Sequence, residues 1–156
     1  DLQGVERDLA TVAAAHPQVI AHNLETIERL TPSVRDRRAA YRQSLRALEY
    51  LKSCPEKPYT KSSLMVGLGE TDAELEQACR DLRGAGVDVL TFGQYLQPSQ
   101  YHLRVERFAT PEQFAGYQAM AEAMGFLYVA SGPLVRSSYR AAELFVRGLM
   151  ERERRA

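Results

Sequence analysis

Most residues that could do chemistry fall in four short polar clusters, each closing an apolar run. His22-Asn23, with Glu25 close behind, follows Gln18 to Ala21, and Gly67-Leu68-Gly69-Glu70 ends the run that starts at Thr60. Gly93-Gln94 follows Val87 to Phe92, and Ser131-Gly132 opens the string Ser-Gly-Pro-Leu-Val-Arg-Ser-Ser-Tyr. Polar residues just past a buried strand can hydrogen-bond a ribose or a carboxylate; Asn23 could equally cap a helix starting near Leu24. Paired glycines before a helix N-terminus let the backbone approach an anionic or sulfonium-bearing amino-acid ligand, or simply supply a tight turn at φ > 0. Within the fourth cluster, Ser137 or Ser138 could cap the following helix and leave Arg136 exposed. Alternatively, a serine oxygen there could reach a charged group. No partner at ligand spacing makes His22 a metal site, and three histidines without a Gly-x-Ser-x-Gly elbow offer no nucleophilic triad.

Alternating elements must position these clusters. Apolar spacing at Ala40, Ser44, Leu45, Leu48 and Leu51 predicts a helix from about Asp36 to Ser53, stopped by Pro55 and Pro58. The arginines at 35, 37, 38, 42 and 46 read as a solvated face, with Arg35 and Arg38 able to meet an anionic partner. Thr60 to Leu68 reads as a strand. Thr71 and Glu74 then form a capping box for a helix whose buried stripe is Leu75, Ala78, Cys79 and Leu82. Gly84 and Gly86 offer its stops. Val87 to Phe92 is a third strand. Thr110-Pro111-Glu112-Gln113 starts a further helix that Gly125 ends. Phe126 to Ala130 is a fourth strand broken by Ser131-Gly132-Pro133, and a last helix is expected from about Ser138 to Arg152. This order predicts an α/β fold with parallel strands and crossover helices. In such folds the strand ends that carry the polar clusters are where ligands bind. Four strands do not close a barrel, so the sheet is either small and open or part of a larger barrel.

Composition narrows the function classes. The 156 residues suit one domain, with a balanced twenty basic and twenty acidic side chains. Zero net charge argues against a broad surface for nucleic acid or anionic lipid. No apolar run reaches the roughly 18 residues that span a bilayer. Cys54 and Cys79 are far apart, outside any Cys-x-x-Cys spacing, which suits a reducing cytosol.

Several strings, read in order, resemble the lipoyl synthase family. They are Ala21-His22-Asn23-Leu24-Glu25-Thr26, Val34-Arg35, Tyr41 with Ser44-Leu45, Lys61-Ser62, and Met65 to Thr71. Gly93-Gln94-Tyr95-Leu96-Gln97-Pro98, His102-Leu103, and Phe126 through Tyr139 with Ala141 continue the likeness, which runs from about Val19 to Ala142. Gly-Gln-Tyr-Leu-Gln-Pro and Ser-Gly-Pro-Leu-Val-Arg-Ser-Ser-Tyr are long and specific.

The resemblance implies the C-terminal part of a radical-SAM partial (β/α) barrel, a single domain over 1–156, with a serine motif and closing helix over 131–156. It further implies two four-iron four-sulfur clusters and S-adenosylmethionine, whose cleavage gives a radical that abstracts hydrogen from C6 and C8 of an octanoyl chain. The auxiliary cluster supplies the sulfur, and the partner is an octanoylated lipoyl carrier domain, with no nucleic acid and no membrane. Carried over, Arg136-Ser137-Ser138-Tyr139 matches the string that gives the auxiliary cluster a serine ligand, either Ser137 or Ser138, with Arg136 steadying charge. His22, Asn23, Gly67, Gly69, Glu70 and Gln94 would face S-adenosylmethionine. The chain departs from the family in lacking Cys-x-x-x-Cys-x-x-Cys and the three auxiliary-cluster cysteines, which the family carries in its N-terminal half. The expectation is therefore a C-terminal half that alone binds no stable cluster and has no activity. The alternative is a non-catalytic half-barrel that binds a lipoyl carrier domain. Localisation is expected to be cytoplasmic, or mitochondrial in a eukaryote.

Overall fold

The computed structural model describes residues 2–137. Ser138 and the expected closing helix lie outside the described residues. The sheet has four strands, all parallel and in chain order: β1 (Val19–Ala21), β2 (Tyr59–Val66), β3 (Val89–Gln94) and β4 (Tyr128–Gly132). Helix α1 (Glu6–Ala13) precedes the sheet, and a short helix α2 (Thr31–Val34) follows β1. Helices α3 (Tyr41–Ser53), α4 (Asp72–Gly84) and α5 (Pro111–Ala123) make the three crossovers.

Local sequence explains the best-defined starts. Thr71 Oγ1 accepts the Glu74 N–H at 3.3 Å while the Thr71 N–H donates to the Glu74 carboxylate at 2.9 Å. Thr110 and Gln113 repeat that box at 3.3 and 2.9 Å, with Pro111 at the first helical position. Each box satisfies two amide donors that a helix N-terminus otherwise leaves open.

Other boundaries differ from the sequence expectation, each for a physical reason. Helix α3 starts at Tyr41, not near Asp36. The Asp36 carboxylate accepts the Arg38 amide at 2.9 Å and its guanidinium at 2.8 Å, which holds the preceding residues as a turn. No helix starts at Leu24, so Asn23 caps nothing; its side-chain amide donates to Glu25 Oε1 at 3.1 Å. Residues 22–25 instead prolong β1 alongside β2, through His22 N–H to Lys61 O at 3.0 Å and Glu25 N–H to Ser63 O at 2.9 Å. Strand β3 begins at Val89, later than expected. The Asp88 carboxylate makes a corner there by accepting Lys52 Nζ at 2.6 Å and the Thr60 N–H at 2.8 Å. Gly93, Gln94, Ser131 and Gly132, expected to close or break strands, stay in the ladder, with Gly93 pairing both Met65 and Gly132.

The strands have two chemically distinct faces. Leu64, Val66, Leu90, Phe92 and Val129 join one core cluster with Leu48 of α3, Leu75 and Leu82 of α4, and Phe114 and Tyr117 of α5. Leu9 and Ala13 of α1 pack outside this layer, against Ala47 and Leu51 of α3. By the period-two alternation of a strand, Lys61, Ser63, Met65, Thr91 and Gly93 take the opposite face. Strand order without reversal, and crossovers gathered on one face, are the geometry of a barrel arc. A doubly wound sheet reverses its order and covers both faces.

Replacing Thr71 with Ala should lower stability by about 1 kcal/mol, because the Glu74 amide loses its acceptor. Thr71→Ser should retain most of it. Urea denaturation followed by circular dichroism measures both, and equal loss in the two variants would count against the cap.

Candidate functional site

Along the strand ends the chain builds a cleft over the helix-free face. One part, of about 240 Å³, is lined by Asn23, Glu25, Ser63, Met65, Gly93 to Leu96, Pro98 and Val135 to Ser137. An adjoining part, of about 550 Å³, shares Asn23, Glu25 and Ser137 and adds Val19, Ala21, His22, Arg35 and Lys61. The segment after β4 forms one wall. A Cβ at Gly93 would stand 2.3 Å from the Val135 carbonyl oxygen, so only glycine lets this segment cross the sheet so closely. Lys61 Nζ, on a side chain almost fully buried, donates to the Ser137 carbonyl.

Backbone and side-chain bonds fix the side opposite this wall. Leu24 N–H donates to Ser62 Oγ at 3.0 Å, and Met65 N–H to Glu25 O at 2.8 Å. Glu25 adopts φ 69°, a left-handed conformation that a non-glycine residue takes only when its surroundings impose it. His22 Nε2 lies 2.8 Å from Ser44 Oγ, and Arg35 Nη1 donates to the same oxygen at 2.7 Å. Burial, reinforced by the Arg35 charge, holds the His22 imidazole pKa down to about 4. Burial also lowers the Lys61 ammonium. Cations, amide and ring N–H donors and one carboxylate thus face the same space. Thr91 Oγ1, buried on the inner face, has no hydrogen-bond partner among the described residues.

The structure brings His22, Asn23, Gln94, Arg136 and Ser137 to this cleft. Gly67, Gly69 and Glu70 sit at the same sheet edge but line neither part. There the Glu70 carboxylate turns back on its own loop, accepting the Gly67 and Leu68 N–H groups, each at 2.8 Å. Arg107 clamps the carboxylate at 3.0 Å and also donates to Tyr117 Oη at 3.1 Å, which in turn donates to Asp72 at 2.7 Å. Gln94 is similarly engaged. Its amide donates to the carbonyls of Tyr95 and Arg107, both at 3.0 Å, and its oxygen accepts Ala109 N–H at 3.0 Å. These two side chains fasten the loops that rim the cleft.

Sequence reasoning missed Lys61, Ser63, Met65 and the Arg35–Ser44 pair as site residues. A signal for the first existed: a lysine inside an eight-residue strand, with Ser63 two positions on, marks one polar face. The two cysteines stand elsewhere, in separate apolar clusters. Burial pushes the Cys79 thiol up to about 12 and raises that of Cys54 as well. Among the described residues no three His, Cys, Asp or Glu side chains gather to hold a metal ion. Ser137 offers one exposed oxygen at the cleft mouth.

Comparison with known proteins decides the family. The chain is 75% identical over 154 residues to a lipoyl synthase of Myxococcus xanthus (strain DK1622), covering 99% of this chain and 52% of that protein. The chain belongs to the lipoyl synthase family. It is 56% identical over 151 residues to the lipoyl synthase of Anaeromyxobacter dehalogenans (strain 2CP-C), covering 97% of the chain and 51% of the relative. A mitochondrial lipoyl synthase of Drosophila grimshawi is 51% identical over 156 residues, covering 100% and 43%. No protein-family model matches. The chain spans about half the length of the curated relatives it matches, their C-terminal portion. Within this family assignment, the α/β arc with parallel strands is the expected partial barrel.

Glu70→Ala would strand two buried N–H groups and leave Arg107 only its more distant carboxylate, Asp72 at 3.6 Å, so stability should fall by about 3 kcal/mol in urea denaturation. Arg107→Lys, which keeps the charge, should cost less. A Glu70→Ala variant as stable as the parent chain would mean that the carboxylate does not organise the turn.

Proposed function

We propose that this chain is the C-terminal part of a lipoyl synthase and that its cleft holds S-adenosylmethionine against the protein-bound octanoyl group. The identity to the Myxococcus enzyme carries this reading. The donor set supports it. An amino-acid zwitterion with a ribose needs cations, neutral donors and a carboxylate together, and Lys61, Arg35, His22, Asn23 and Glu25 provide them.

When bound, S-adenosylmethionine and the iron–sulfur clusters would supply the radical and the sulfur for insertion at C6 and C8. The chain's own part is to bind and orient. Lys61 and Arg35 favour a ligand carboxylate, Glu25 an ammonium, and Asn23 a hydroxyl. Met65 and Leu96 add apolar wall, and the segment from Val135 to Ser137 closes one side. Ser137 or Ser138 would give the auxiliary cluster its oxygen ligand, and Arg136 would balance charge beside it.

The partner in this reading is an octanoylated lipoyl carrier domain. Exposed Leu96, Tyr101, Phe108 and Leu134, on the loops after β3 and β4, offer apolar area for a protein surface. Among the described residues no helix is long and apolar enough to cross a membrane. The protein is expected in the cytoplasm of a bacterium or the mitochondrion of a eukaryote.

The burial of both cysteines in the apolar core favours a second reading, a half-barrel that binds the carrier domain without catalysis. One experiment separates the two. The native gene product, reconstituted with iron and sulfide under reduction, is given S-adenosylmethionine and an octanoylated carrier domain. Mass spectrometry should show the carrier gaining two sulfurs, and losing two hydrogens once the dithiol is oxidised to the disulfide. An unmodified carrier that still co-purifies with an iron-free protein would support the binding module.

A further inference from the structure

The geometry points to Ser44 and Arg35 as positioning residues that hold His22 in the tautomer with its proton on Nδ1. The ligand to which this matters rests on the S-adenosylmethionine reading; the tautomer itself rests on bonds within the chain.

A guanidinium has donors and no acceptor, so the 2.7 Å bond from Arg35 Nη1 makes Ser44 Oγ the acceptor. Ser44 is fully buried, and among the described residues its hydroxyl meets just one other group, His22 Nε2 at 2.8 Å. The hydroxyl proton therefore points at Nε2, which must carry a lone pair. A neutral imidazole with a bare Nε2 keeps its proton on Nδ1. The opposite tautomer would aim two donors at Ser44 and leave the hydroxyl proton unsatisfied in a buried place. Burial and the Arg35 charge also disfavour the imidazolium.

The consequence is a selectivity at the cleft. The basic nitrogen of His22 is engaged with Ser44, so it is not a metal-binding lone pair. The other ring nitrogen has donor character, which suits an oxygen acceptor such as a carboxylate or a hydroxyl. Arg35 and Ser44 lie nine positions apart, at the approach to α3 and in its first turn. Neither residue needs to touch a ligand to set this chemistry.

Nitrogen-15 histidine labelling of the full chain tests the assignment, with long-range proton–nitrogen spectra at neutral pH and His22 assigned by loss of its signals in His22→Gln. The expected pattern is a protonated, pyrrole-type Nδ1 and a bare, pyridine-type Nε2. Ser44→Thr should keep the pattern, whereas Ser44→Ala should mix or reverse it. If Ser44→Ala loses the dispersed amide spectrum of a folded chain, Arg35→Met serves instead. Freed of the guanidinium, Ser44 can accept from Nε2–H, and the tautomers should mix. A protonated Nε2 in the parent chain, or an unchanged pattern in whichever folded variant is read, overturns the inference. Adding S-adenosylmethionine is a separate readout. The expected Nδ1–H pattern with no shift on saturation would leave the tautomer standing and remove His22 from the ligand reading.

Discussion

Strand β2 imposes a constraint on which the rest of the molecule depends, because its alternate residues belong to different environments. Leu64 and Val66 enter the apolar layer under the helices, while Lys61, Ser63 and Met65 face the other way. Parallel pairing on both sides makes β2 the strand through which the register of β1 and β3 is set. A one-residue slip would drive Lys61 into the leucine layer and expose Leu64, a change that burial energetics forbid. The helices must therefore gather on the apolar side, and the polar side remains for a ligand.

Loop chemistry then completes what the sheet begins. The Glu70 carboxylate turns inward to its own backbone, Arg107 joins that turn to α5 through Tyr117, and Gln94 fastens the long connection after β3. Polar groups near a strand end divide into two kinds, those that hold the rim and those that line the space. Gly67, Gly69, Glu70 and the Gln94 side chain belong to the first kind. His22, Asn23, Glu25, Lys61, Arg136 and Ser137 belong to the second.

Much of this was legible in the residues, where the cause is local. Thr71 with Glu74, and Thr110 with Gln113, satisfy their helix ends within four residues, so the starts of α4 and α5 could be read directly. The alternating elements and the polar strand ends likewise pointed to the sheet edge along which the cleft lies. Errors came where a distant partner decides. Asp36 prefers Arg38 to capping a helix, and Gly93 and Ser131 stay extended because the neighbouring strands pair with them. The inward turn of Glu70 depends on Arg107, thirty-seven residues away, which no local pattern announces. Arg35, Ser44 and His22 form one unit only once β1 lies against α3. The family resemblance singled out all three residues without showing that they touch.

We propose that the helix-free face of the sheet is the ligand surface of this family member. A crystal structure of the native gene product with S-adenosylmethionine bound tests it most directly. The ligand is expected over β1 to β3, its polar groups within hydrogen-bond reach of His22, Asn23, Glu25 or Lys61, under the segment that ends at Ser137. Ligand density on the helix-covered face, or at the Gly67 to Glu70 turn with this cleft empty, would contradict it.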